Sequence, residues 1–131
     1  MAAFQIVLDD RSGVPVYRQI IDRVTAGIAR GAIGGGDQLP TVRQLAVDLS
    51  INPNTVIRAY RELEIRGIID TQQGTGTFIS ESSPGPDKAE RQRMLAQLAG
   101  ECAARAGAAG FTLEELIQQL VVLYKPEKRK K

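Results

Sequence analysis

Apolar positions recur at helical spacing in five stretches of this chain, separated by short polar or glycine-rich breaks. Residues 4–8 form a short strand-like apolar run and 9–13 a turn. Pro15 opens a helix with Val16, Ile20, Val24 and Ile28 on one stripe, widened by Tyr17, Ile21 and Ala29. Gly31 ends it, and Gly34-Gly35-Gly36 reads as a flexible turn. No helix start follows those glycines directly, so an anion cradle is the weaker reading. Thr41, after Pro40, can cap a second helix with Val42, Leu45, Ala46 and Leu49 on one face. Ser50-Ile51-Asn52 breaks the period. Asn52 then caps a third helix with Pro53 at its first position, Val56, Ala59, Tyr60 and Leu63 on its apolar side, and Gly67 just past its end. Two short strand patterns follow, Ile68-Ile69-Asp70-Thr71 and Thr77-Phe78-Ile79, joined through residues 72–76.

Beyond them, Ser82-Ser83-Pro84-Gly85-Pro86 reads as a linker. A helix over 87–108 sets Met94, Leu95, Leu98, Cys102 and Ala106 along its length. Thr112-Leu113-Glu114-Glu115 has the form of a capping box and opens a last helix with Leu113, Leu116, Ile117, Leu120, Val121 and Tyr124 on its apolar side. Two helices this short bury too little surface to stand alone. The expectation is a second copy of the chain, meeting Leu95, Leu98, Cys102, Leu113, Leu116, Ile117, Leu120 and Tyr124. Cys102 reads as a small packed hydrophobe rather than a redox sensor. The charged end KPEKRKK reads as a solvated tail.

Composition narrows the classes. A chain of 131 residues has room for one domain and a small appendage, and 43% hydrophobic residues suffice for a folded core. With no histidine and one cysteine, a zinc site, a Ser-His-Asp triad and a Cys-His nucleophile are excluded by inventory. The expectation is a protein without catalysis, metal or cofactor. The longest apolar run, residues 120–124, cannot span a bilayer and the first ten residues lack a signal-type core, so the expected location is the cytoplasm, away from membranes. Net charge is only +2. Residues 1–80 hold eight arginines and eight acidic residues, but Arg43, Arg58, Arg61 and Arg66 gather around the third helix. That is a local basic face on a neutral domain.

The second and third helices, followed by a glycine-tipped hairpin, make an arrangement that can place side chains in the DNA major groove with a wing beside the duplex. Asn52, Asn54 and Thr55 at the open start of the third helix, with Arg58 and Arg61 outward, suit base edges and phosphates. From the two helices alone an ordinary surface helix with an asparagine cap competes; the hairpin favours the nucleic-acid reading. Gly74-Thr75-Gly76-Thr77 lacks the following helix and the Gly-Lys-Ser/Thr ending of a phosphate loop, so it reads as a hairpin tip.

Taken together, VPVYRQI, GDQLPTVRQLA, NPNTVIRAYRELE and RGII…GTGTFIS resemble the winged helix-turn-helix domain of the GntR family of bacterial transcription regulators. The resemblance spans residues 14–82, with the helix-turn-helix over 42–61 and the wing over 68–80. The NPNTV form of the third helix and the short segment after the wing resemble the YtrA subfamily. The implied fold class is mainly α with a small β-hairpin wing. Residues 1–13 would be an N-terminal arm, and 83–131 a short two-helix C-terminal dimerisation segment with a basic tail. The implied function is a homodimeric repressor on an inverted-repeat operator of double-stranded DNA, regulating its own operon or neighbouring transporter genes. The implied DNA-binding set is Thr41, Arg43, Asn52, Pro53, Asn54, Thr55, Arg58 and Arg61 on the helices, with Gln73, Gly74 and Thr75 on the wing. Ile57 and Pro53 stand where many members carry basic or polar groups, so their base readout does not transfer. A small-molecule effector at the dimer seam stays open, since no residue argues for one. The alternative is a winged-helix module that uses the same face for protein or RNA.

Overall fold

The computed structural model describes residues 4–81 and 87–124. The expected linker at 82–86, the first three residues of the arm and the charged tail lie outside the described residues. The chain divides into two compact units, with the described residues 4–81 in the first and 87–124 in the second.

The first unit runs α1 (Val16–Arg30), β1 (Gln38–Leu39), α2 (Val42–Leu49), α3 (Pro53–Ile65), β2 (Ile69–Gln72) and β3 (Gly76–Ile79). Its core forms where the apolar stripes of the three helices meet the inner side of the sheet. Ile20, Val24, Val56, Leu63 and Ile69 are sealed from solvent. Each is worth roughly 1.5–3 kcal/mol of burial. Tyr17, Val42, Leu49, Ile51 and Ile68 pack around them.

Three features differ from the sequence reading. The sheet has three strands in the order β1-β3-β2, all antiparallel, with Gln38 opposite Phe78 and Thr71 opposite Thr77. A strand of two residues is too short to show a period of two, so β1 leaves no mark in the pattern. The three glycines before it are not a loose turn. The Gly36 N–H donates to the Ile79 carbonyl (2.9 Å), and a Cβ on Gly35 would stand 2.9 Å from the Glu81 carbonyl oxygen. Close backbone approach is what glycine provides at 35, and a positive φ of 87° what it provides at 36.

The second difference is at the N-terminus. Residues 4–8 form no strand. Ile6 is buried among them, and the Phe4 ring lies over Gly27, where an added Cβ would stand 2.5 Å from the ring. The third concerns α1, where Ala29 is exposed and Gln19 is buried instead. Gln19 Oε1 accepts from the Asp9 N–H (2.8 Å), and Nε2 donates to the Asp9 and Val14 carbonyls (3.1 and 2.9 Å). A buried amide with its polar atoms satisfied carries no desolvation debt. Here it ties the arm to the helix.

The second unit holds α4 (Lys88–Ala108) and α5 (Leu113–Leu123), a helical hairpin turning at Gly110 with φ +93°. Both starts are capped: Asp87 accepts from the Glu90 N–H (2.8 Å), and Thr112 and Glu115 form the reciprocal box. Neither helix has a buried residue in the single chain. Leu95, Leu98, Leu113, Ile117, Leu120 and Tyr124 are exposed, and Leu116 is half-buried. Cys102, placed with them at the expected seam, is exposed in the single chain as well.

Candidate nucleic-acid interface

Thr41 turns the chain into α2: its Oγ1 accepts from the Gln44 N–H (3.0 Å). Ser50, the one described non-glycine residue with positive φ, ends that helix in the left-handed region at φ +57°. The chain then enters α3 at Asn52, whose Oδ1 accepts from the Asn54 N–H (2.7 Å), while its carbonyl accepts from the Thr55 N–H (2.9 Å). Pro53 has no N–H to satisfy. The first turn of α3 is therefore closed on itself, and its polar side chains are left to face outward.

Core duty on α3 falls to Val56, Ala59, Tyr60 and Leu63, all buried. The Tyr60 hydroxyl donates to the Pro40 carbonyl (2.7 Å) and so pins α3 to the residue before the α2 cap. Burial pushes this phenol well above its ordinary value of 10.0. The opposite face holds Asn54, Arg58 and Arg61, all exposed; Arg43 is exposed on α2. Thr55 is half-buried on the flank rather than fully outward.

Two arginines are less free than the sequence suggests. The Arg58 guanidinium lies over the Tyr17 ring, 3.8 Å from its centroid, a cation–π contact worth about 0.5–1 kcal/mol at an exposed site. Tyr17 was legible only as part of the α1 stripe. Arg66 is held by Glu62, four residues back, at 3.1 Å. That pair removes one cation from the basic cluster.

The wing is the β2–β3 hairpin. Its tip, Gln73, Gly74 and Thr75, is exposed, with Gly74 at φ +80° and the Thr75 N–H donating to the Gln72 carbonyl (2.9 Å). Gln38 on β1 reaches beneath the tip, its Nε2 3.4 Å from the Thr75 carbonyl oxygen. Positions 73–75 and the α3 face thus belong to one unit, positioned by one core. Among the described residues no cluster of His, Cys, Asp or Glu could hold a metal ion, and no helix is long and apolar enough to cross a membrane.

Known proteins share this arrangement. Residues 16–79 match the family model described as bacterial regulatory proteins, gntR family. The HTH-type transcriptional repressor YtrA of Bacillus subtilis (strain 168) is 40% identical over 111 residues, 85% of this chain and 85% of that protein. Among solved structures, a GntR family transcriptional regulator from Listeria monocytogenes is 33% identical with a TM-score of 0.59, covering 86% of this chain and 96% of that one. YtrA from Sulfolobus acidocaldarius, a GntR-family transcription factor, is also 33% identical with a TM-score of 0.54, covering 72% and 95%. A capped third helix, a glycine-tipped wing and the match across both make this chain a member of the GntR family of DNA-binding transcription regulators, among its YtrA-like members.

Proposed function

We propose that the protein is a homodimeric repressor of the cytoplasm, not an enzyme, that binds an inverted-repeat operator through α3 and the wing and pairs through α4 and α5. The observation that carries this reading is the division of labour on α3. The cap and the core duty sit on Asn52, Pro53, Val56, Ala59, Tyr60 and Leu63, which leaves Asn54, Arg58 and Arg61 exposed on the opposite face. Asparagine can bond adenine through N6 and N7, and arginine can bond guanine or phosphate. Arg43 and Thr41 at the start of α2, with Gln73, Gly74 and Thr75 on the wing, extend the footprint to the backbone. The uncovered apolar side chains of α4 and α5 support pairing with a second copy. A two-fold pair presents two reading helices about one DNA turn or more apart, which is what an inverted repeat matches. Its own operon and neighbouring transporter genes are the proposed targets.

The test is selection of duplex fragments by the purified full-length protein, then sedimentation of the protein with a selected duplex. The expected result is a shared inverted repeat bound by two copies, with affinity falling as salt rises by about 0.9 log unit per log unit of salt for each phosphate neutralised. A selected pool without a common sequence would overturn the operator reading and assign the α3 face to a protein or RNA partner.

A further inference from the structure

Ile57 differs from its neighbours on α3. At about 100° per residue, Asn54, Ile57, Arg58 and Arg61 share one face of the helix. Three of these are polar or cationic. Ile57 is aliphatic, 37% exposed, and outside the core cluster. Its branched Cβ lowers helix propensity, so the local helix gives no reason for it. Val47 and Ile65 are also exposed, but Val47 lies on α2. Ile65 ends α3, about 16 Å along the axis from Asn54, where a reading helix of this kind has moved away from the base edges.

We infer that Ile57 is a specificity-determining residue whose side chain packs on the C5-methyl of a thymine, beside the base pair that Asn54 reads. This rests on the operator reading of α3 given above. Thymine alone among the four bases presents a methyl in the major groove. An aliphatic side chain there neither donates nor accepts, so it leaves the N4 donor of cytosine or the N6 donor of adenine without a partner. Isoleucine in a helix holds one strongly preferred χ1 rotamer, so little freedom is lost on contact. Of the other methyl-bearing residues near the start of α3, Val56 is sealed in the core, and Thr55 is half-buried on the flank and less suited to the task.

Duplexes selected by the full-length protein can be resynthesised with deoxyuridine in place of each thymidine in turn. That removes one methyl and leaves base pairing intact. At one position per half-site the wild type should bind about fourfold more weakly, the worth of one buried methyl group. Ile57→Ala should bind the thymidine and deoxyuridine duplexes alike at that position. The variant gains helix propensity, and its circular-dichroism melt checks that it folds. Indifference of the wild type to deoxyuridine at every position overturns the inference and leaves the operator reading standing, as does an Ile57→Ala protein that keeps the fourfold difference. A half-site selected without thymine does the same. Failure to select any common sequence overturns both.

Discussion

The two units of this chain have helices with apolar faces, yet those faces meet opposite fates. In the first, Ile20, Val24 and Leu63 lose all contact with solvent. In the second, Leu98 and Leu120 keep 62% and 48% of their surface. The difference lies in the number of layers. Within the first unit α1, α2 and α3 pack together and on a sheet, whereas the described part of the second unit holds a single pair of helices, α4 and α5. An amphipathic stripe therefore specifies that a face will be covered, not by what.

The contrast breaks most visibly at the uncovered face. Leu116→Asp with Leu120→Asp should convert a dimer to monomers, since charges held in an apolar seam cost several kcal/mol, while the first unit melts as before. An unchanged dimer in sedimentation would move the interface elsewhere. Truncation of the closed core comes next. Leu63→Ala should cost about 2–5 kcal/mol in urea unfolding, against little change for Leu98→Ala measured on monomers at high dilution. Equal losses at the two sites would erase the distinction between the units.

A finer version of the comparison lies within α3. Asn54→Ala should cost roughly 1–3 kcal/mol on the operator, with little effect on random duplex or on melting temperature. Asn52→Ala should instead lower stability by about 1 kcal/mol, because the cap to the Asn54 N–H is lost. Matching losses of operator affinity in both variants would mean that cap and reading cannot be separated.

The smallest effect concerns Tyr60. Its phenol keeps its proton in the fold above pH 10.0, where the unfolded chain releases it. Stability from this group is thus complete below that pH and is lost as pH rises beyond it. Tyr60→Phe should cost about 1 kcal/mol near neutrality through the lost bond to Pro40 and should flatten the alkaline decline. Parallel pH profiles for wild type and variant would assign that decline to other groups.

Much of this was legible in the sequence because local chemistry announces itself. The caps of α2 and α3, Thr41 and Asn52, follow from residue type before a periodic run, and Gly67 and Gly74 from their need for positive φ. What escaped depends on contacts made between elements rather than within one. Gln19 looks like a surface residue until Asp9 and Val14 fold back over it. Tyr17 becomes a seat for Arg58 only once α1 and α3 have met. The strand β1 exists because β3 offers it an edge. Ala29 was placed inside by periodicity alone, which cannot say how wide a buried stripe is.

The separation of tasks along α3 also has an evolutionary consequence. On the operator reading proposed above, substitutions at Asn54, Ile57 and Arg61 would leave the cap, the buried face and the Arg58–Tyr17 contact alone, so operator preference could drift while the fold is kept. After gene duplication, two copies could diverge toward different promoters through a handful of outward changes. The same insulation would make those three positions a natural cassette for building orthogonal regulators on one scaffold.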